Sequence, residues 1–283
     1  MGLTLVVMAA GRGSRFGGMK QVAQIGPSGE SLFDYAVYDA LRSGFEDIVF
    51  VVSEASVDAV EGHVNAGCGR HVEVGYALQK AEGRTKPWGT GHAVLTACGE
   101  VDGAFGVVNA DDFYGQASFK MLGRELASDS PDHALVGFHL LDSLSPNGGV
   151  SRGLCGVEGG FLTSITELHE VVAAGDGVQC REGIALTGDE LISANLWGFR
   201  PSFCRTLTER FEQFLGDRGN DPVAEFLIGD AVASLADAGK EKVRVVPTTE
   251  RFLGITYSDD VAGATAEIAG LVDAGRYPTP LWG

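Results

Sequence analysis

The chain has 283 residues, 41 of them glycine, and a formal net charge of −17 at pH 7. Hydrophobic residues make up 45% of the sequence, which is enough for a full core and excludes a mainly disordered chain. The acidity argues against nucleic acid and anionic membranes as partners, because both bind through clustered Lys and Arg. The glycines show no Gly-X-Y period, which excludes collagen.

No apolar run reaches the roughly 18 residues that a membrane-spanning helix needs. The first ten residues, MGLTLVVMAA, lack a basic segment and predict a buried strand, not a secretory signal. The five cysteines are odd in number and form no CxxC pair, so neither a disulfide framework nor a zinc site is expected. A reduced, cytoplasmic protein is therefore predicted.

The first part of the chain alternates apolar runs with segments of helical periodicity. Strands are predicted over residues 3–9, 47–53, 72–78 and 105–109, and helices over 31–43, 57–64 and 91–98. Continuous apolar strands separated by helices are typical of a parallel sheet that is covered on both faces. An α/β fold is predicted.

The pattern changes in the second part. A hairpin is predicted over 154–157 and 162–167, strands over 191–199 and 242–247, and helices over 201–215, 222–238 and 261–274. No repeat or Pro/Ser-rich linker interrupts the chain. One domain over residues 1–283 is therefore predicted.

A glycine-rich loop follows the first strand, with the sequence AAGRGSRFGGMKQ over residues 9–21. Glycine lets backbone N–H groups approach a phosphate closely, and Arg and Lys supply the positive charge that a polyphosphate needs. The loop nearly matches a dinucleotide-binding fingerprint, but the acidic residue expected about 20 positions later is missing. A Walker A motif is absent. The pattern GxG[ST]R followed by Lys fits fully, with Gly11, Gly13, Ser14, Arg15 and Lys20.

This loop resembles the signature loop of the sugar-1-phosphate nucleotidylyltransferases. The resemblance implies a Rossmann-like, mostly parallel sheet of the nucleotide-diphospho-sugar transferase type, with helices on both faces and a sugar-side β subregion. It also implies a nucleotide-binding half over 1–115, a sugar-binding half over 116–283, and Mg²⁺ as cofactor. Arg15 and Lys20 are then expected to neutralise phosphates, and Ala10, Gly11, Gly13 and Ser14 to contact the nucleotide.

The segment YALQKAEGRTKPWGTGHAVL, residues 76–95, resembles the part of the same family that contacts the base. The resemblance places Gln79 and the turn at Gly89 and Thr90 against the base, and the GTGHA turn favours UTP. An amide offers both a donor and an acceptor to a pyrimidine edge. Thr90 also suits a helix N-cap. The connection over residues 80–88 is longer than usual.

The strand FGVVN leads into a pair of acidic residues. An acid at the carboxyl end of a buried parallel strand lies where ligands of open α/β sheets bind. The resemblance assigns Asp111 to Mg²⁺ and Asn109 to the nucleotide. Asp112 is expected either to support the metal ligand or to cap the segment from Phe113 onward, and the cap is preferred. A second metal ligand is expected from residues 251–260, at Thr256 or Asp259.

Three residues of the second half resemble the sugar pocket of this family. They are Gly153 and Glu167, which flank the predicted hairpin, and Asn195 in the strand ISANLWGF. The resemblance thus implies an enzyme that joins a nucleoside triphosphate to a sugar 1-phosphate and releases pyrophosphate. Three alternatives stay open: a cytidylyltransferase acting on an alcohol phosphate such as phosphocholine, a non-catalytic nucleotide-sugar sensor, and, more distantly, a Rossmann oxidoreductase.

Overall fold

The structure is a computed structural model that describes residues 2–11, 16, 19–81, 83–84, 86–175, 177–238 and 241–283, with backbone alone for 236–238. The strands are β1 (Leu3–Met8), β2 (Phe45–Val52), β3 (Val74–Leu78), β4 (Phe105–Asn109), β5 (Asp112–Phe113), β6 (His133–His139), β7 (Val150–Glu158), β8 (Phe161–Ala174), β9 (Gly177–Gln179), β10 (Leu191–Phe199), β11 (Val243–Pro247) and β12 (Leu253–Gly254). The α-helices are α1 (Leu32–Leu41), α2 (Val57–Ala66), α3 (Thr90–Ala97), α4 (Gln116–Ala127), α5 (Ser202–Arg218), α6 (Ile228–Ala238) and α7 (Asp260–Asp273).

One large sheet runs through both parts of the chain, in the order β3-β2-β1-β4-β10-β6-β11-β8-β7. The strands β1, β2, β3 and β4 pair in parallel, while β10 runs antiparallel to β4 and β6. The long antiparallel hairpin of β7 and β8 forms the far end of the sheet. The α/β prediction with a β-rich subregion is confirmed. Because β10 is antiparallel, its first residues lie at the same edge as the carboxyl ends of β1 to β4.

Helices cover both faces of this sheet. Alternate residues of β1 point to opposite sides: Leu5 and Val7 pack with α1, α2 and α4, whereas Val6 and Met8 pack with α3, α5 and α6. A third apolar cluster joins α1 to α7 and to the last residues of the chain. The strands of the first half are therefore buried on both faces, as their continuous apolar runs predict.

One helix prediction is wrong in its start. The helix predicted over 222–238 begins only at Ile228. The preceding residues run beside the segment before α3, where the N–H of Phe226 donates to the carbonyl of Trp88 at 2.7 Å and the N–H of Gly91 donates to the carbonyl of Phe226 at 2.9 Å. These bonds to a distant segment replace the first turns of the helix.

The cysteine prediction is also wrong for one pair. Cys98, which follows α3, is disulfide-bonded to Cys204 of α5, 106 residues away. A pairing between two packed helices leaves no short spacing in the sequence that could reveal it. Among the described helices, none is long and apolar enough to cross a membrane.

Candidate active site

Two neighbouring cavities lie at the carboxyl ends of the parallel strands. The strand-end cavity, of about 370 Å³, lies between the ends of β1, β3 and β4, and its lining includes Ala10, Gly11, Lys20, Gln79, Gly89, Thr90, Asn109 and Asp111. The hairpin cavity, of about 340 Å³, lies between β7, β8, β10 and α6, and its lining includes Asn109, Asp112, Arg152, Gly153, Glu167, Asn195 and Asp230. Thr90 and Asn109 line both cavities, so the two form one continuous candidate site.

Lys20 and Asp111 form an ion pair inside the strand-end cavity. Lys20 lies in the 3-10 helix Lys20–Val22, and its ammonium group also approaches the carbonyl of Ile255 at 3.5 Å. The N–H of Ile255 donates to the carbonyl of Asp111 at 3.1 Å, which holds the segment after β12 against the end of β4. The structure thus brings together two of the three predicted catalytic residues. Gly13, Ser14 and Arg15 lie outside the described residues.

The predicted base-contacting residues also meet. The amide nitrogen of Gln79, at the end of β3, lies 3.1 Å from the carbonyl oxygen of Gly89 and 3.1 Å from Nδ1 of His92. Gly89 has a φ of +103°, which favours glycine, and it is the N-cap of α3. The Thr90 hydroxyl instead accepts from the N–H of Ile228 at 3.2 Å. The prediction of Thr90 as the N-cap is therefore wrong: its hydroxyl binds the start of α6.

The long connection between β3 and α3 packs against the segment before α6. The guanidinium of Arg84 donates to the carbonyl oxygens of Asp221 and Ala224 at 3.0 and 2.7 Å. Lys86 pairs with Glu225 at 2.5 Å, and both side chains line the strand-end cavity. The connection thus forms one wall of that cavity, a role that its sequence alone did not indicate.

Asp112 is not the helix cap that the sequence predicts. It lies in β5 and is buried, and it accepts a hydrogen bond of 2.6 Å from the side-chain amide of Asn109. Burial, and next the charge of Asp111, raise the pKa of Asp112 to about 7. α4 begins at Gln116 after Gly115, so the chain needs no cap at residue 112.

Asn195 reaches the end of β4 through an irregularity in β10. The register between β10 and β6 shifts between Ser193 and Trp197, and Asn195 adopts a left-handed φ of +63°. Asn tolerates this conformation better than most residues. Its amide nitrogen lies 3.5 Å from the side-chain oxygen of Asn109, and its own oxygen accepts from the indole N–H of Trp197 at 3.2 Å.

Gly153 and Glu167 face each other across the hairpin. They are direct partners in the β7–β8 register, and a Cβ on Gly153 would lie 3.2 Å from Ile165, so glycine keeps this part of the hairpin cavity open. The Glu167 carboxylate is accessible from the cavity, but the surrounding protein removes enough water to raise its pKa. The three predicted sugar residues therefore share one cavity.

Arg152 is a residue of this cavity that the sequence analysis missed. Its guanidinium donates to the backbone carbonyls of Ser143 and Ser151 and lies 5.0 Å from the ring centre of Phe252. Burial lowers the pKa of Arg152, while Asp112 and Glu167 favour its charged form. Its position next to Gly153 in a predicted hairpin is the one sequence signal that could have indicated it.

The two candidate second metal ligands differ in position. Asp259 is exposed at the start of α7, whereas Thr256 directly follows Ile255, the residue in contact with Asp111 and Lys20. The described residues contain no cluster of three or more His, Cys, Asp and Glu side chains that could hold a metal ion. Mg²⁺ commonly takes one or two carboxylates, with phosphate oxygens and water completing its shell. Asp111 is one such carboxylate, and it lies beside Lys20 in the strand-end cavity.

The sequence matches a known family model over part of its length. Residues 5–129 match the family model described as the MobA-like NTP transferase domain. This stretch includes most of β1, all of β2 to β4, and Lys20, Gln79, Thr90, Asn109 and Asp111. This match indicates an NTP transferase domain over that stretch of the chain. No curated protein matches the sequence.

Two solved structures share the fold over nearly the whole chain. One is the inositol-1-phosphate CTP transferase from T. maritima, with a TM-score of 0.65 and 15% identity, covering 94% of this chain and 95% of that chain. Another is described as a glucose-1-phosphate thymidylyltransferase from Bacillus anthracis in complex with a sucrose, with a TM-score of 0.66 and 11% identity over the same shares of the two chains. The chain thus has the fold of nucleotide-diphospho-sugar transferases in both halves.

Proposed function

We propose that this protein transfers a nucleotidyl group from a nucleoside triphosphate to a sugar 1-phosphate and releases pyrophosphate. UTP is the preferred nucleotide in this proposal. The carrying observation is that eight residues assigned from sequence to the nucleotide, the phosphates or Mg²⁺ line one cavity, while the three assigned to the sugar line the adjoining one. Two cavities that meet at Thr90 and Asn109 suit two substrates that must react with each other.

In this reaction an oxygen of the sugar phosphate attacks the α-phosphorus of the nucleotide, a P–O bond forms, and the bond to the leaving pyrophosphate breaks. We assign Lys20, which lines the strand-end cavity, to phosphate oxygens of both substrates, whose added charge it would stabilise. Asp111 would hold Mg²⁺, which supplies charge neutralisation to the phosphates when it is bound. Arg15 is proposed to hold the leaving pyrophosphate.

The preference for UTP rests on the Gln79 amide and the GTGHA turn. The amide nitrogen already lies within hydrogen-bond distance of the carbonyl of Gly89 and of Nδ1 of His92. The amide oxygen can therefore accept a hydrogen bond from the base, and the N3–H of uracil is a suitable donor. The amino group of cytosine is another, and one of the structural neighbours is a CTP transferase. A cytidylyltransferase of an alcohol phosphate is accordingly the second candidate.

We propose that residues 1–283 form a single nucleotidyltransferase domain. The unbroken sheet through residues 1–115 and 116–283 supports one domain. The net charge of −17 favours small substrates bound by local cations over nucleic acid or membrane partners.

Pyrophosphate release tests this function. The purified protein is incubated with MgCl₂, each of UTP, CTP, dTTP, ATP and GTP, and a panel of sugar 1-phosphates, inositol 1-phosphate and phosphocholine. Release with UTP and a sugar 1-phosphate supports the proposal. Release with CTP and an alcohol phosphate alone would establish the second candidate, and no release with any pair would favour a nucleotide-sugar sensor.

A further inference from the structure

The hairpin cavity has more carboxyl groups than basic groups among its described lining residues. Among its described lining residues, the carboxylates are Asp112, Glu167 and Asp230, and Arg152 supplies the one basic side chain. Amide and hydroxyl groups make up the rest of its polar lining. This surface is rich in acceptors, which suits a ligand that donates many hydrogen bonds.

Arg152, the basic residue of this described lining, is hydrogen-bonded to other groups of the protein. Arg152 donates to the carbonyls of Ser143 and Ser151, and its charge is attracted by Asp112 and Glu167. Its guanidinium thus serves the packing of the hairpin and offsets the nearby carboxylates.

The carboxylates of Glu167 and Asp230 are exposed and line the cavity. Glu167 lies on β8, opposite Gly153, and Asp230 lies in the first turn of α6, where its Oδ2 atom accepts from the N–H of Leu227 at 3.1 Å. The phosphate of an acceptor substrate must lie near Lys20 and Asp111 in the strand-end cavity. Any second anionic group on that substrate would therefore meet Glu167 and Asp230.

From this arrangement, and resting on the proposed function, we infer that the acceptor is a polyhydroxyl ring with no anionic group besides its phosphate. Glu167 and Asp230 select it in two ways. Their oxygens accept hydrogen bonds from ring hydroxyls, and their charge repels a carboxylate in the same place. Sugar-acid 1-phosphates are thereby excluded, while hexose and cyclitol phosphates fit.

The test compares glucose 1-phosphate with glucuronic acid 1-phosphate, which differ by a carboxylate at C6, and includes xylose 1-phosphate, which lacks C6. With the preferred nucleotide, kcat/KM for the glucuronic acid compound is expected to be at least 100-fold below that for glucose 1-phosphate. The variants Glu167→Gln and Asp230→Asn should reduce this ratio at least 10-fold, whereas Glu158→Gln, at the exposed end of the same hairpin, should leave it unchanged.

Equal kcat/KM for the two compounds, or a ratio that neither variant changes, would overturn the inference while the transferase function stands. Absence of turnover with every acceptor would instead contradict the function. In that case calorimetric titration of the protein with the same two sugar phosphates decides the inference, because tighter binding of the neutral sugar supports it and equal affinities overturn it.

Discussion

Lys20 reaches the end of β4 because the chain returns to the sheet edge after the glycine loop, in the 3-10 helix Lys20–Val22. Its ion pair with Asp111 shows that a cation and a carboxylate share the strand-end cavity. The sequence predicted both residues from type and spacing. It could not predict their pairing, because Ile255, which contacts both residues, lies far along the chain from either.

The variant Lys20→Ala is expected to lower kcat by at least about 100-fold, because the charge that stabilises the reacting phosphates is removed. Steady-state pyrophosphate release gives kcat, and circular dichroism should show an unchanged fold. Lys120→Ala, on an exposed position of α4, is the matched control and should retain full activity. An active Lys20→Ala enzyme would remove this residue from the proposed chemistry.

Residue type alone misassigned Asp112 and missed Arg152. An acid after a strand commonly caps a helix, but here the chain first forms the short strand β5, which pairs with β12 about 140 positions later. The position of Arg152 in the hairpin cavity follows from the register of β7 against β8. Both roles depend on long-range pairing, which a local pattern of residues does not encode.

At the scale of elements, the connection between β3 and α3 is fixed by its contact with the segment before α6. The two segments approach each other closely at Gly89. Its φ is +103°, and a Cβ at this position would lie 2.5 Å from the carbonyl oxygen of Phe226. The apolar strands and amphipathic helices of the first half were predictable from periodicity. The true start of α6 was not predictable from periodicity. The hydrogen bonds that replace the first helical turns join Phe226 to Trp88 and Gly91, more than 130 positions away.

The variant Gly89→Ala is expected to lower the free energy of unfolding by about 2 kcal/mol or more, since a side chain at this φ is strained and collides with backbone. Urea-induced unfolding measures the difference. Gly99→Ala, where a Cβ would meet nothing within 4 Å, should stay within about 0.5 kcal/mol of the parent protein. Equal losses for the two variants would contradict the close approach at Gly89.

At the scale of the whole molecule, the last residues of the chain pack against α1, more than 230 positions earlier in the sequence. The Tyr277 hydroxyl donates to Asp39 at 2.7 Å, and the indole N–H of Trp282 donates to Asp34 at 3.2 Å. Composition predicted a protein with a full core, but it could not show which charged groups that core would enclose. Asp39 is one of them, and burial raises its pKa to about 7.

This raised pKa predicts a loss of stability with rising pH. Between about pH 4 and pH 7 the unfolded chain ionises Asp39 while the folded protein keeps its proton, so the stability contributed by Asp39 falls as the pH rises. Asp39→Asn removes this dependence. Relative to the parent, the variant should gain up to about 4 kcal/mol between pH 4 and pH 8, measured by urea unfolding at both values. A difference between variant and parent that is independent of pH would contradict the assignment.

The central claim is that the two cavities hold two substrates that react with each other. Phosphorus NMR of the protein with MgCl₂, UTP and a sugar 1-phosphate tests it most directly. The account predicts that pyrophosphate and a new diphosphate ester accumulate in equal amounts and only when both substrates are present. Pyrophosphate formed from UTP alone together with UMP, or no change in either substrate with any of the five nucleotides, would contradict it.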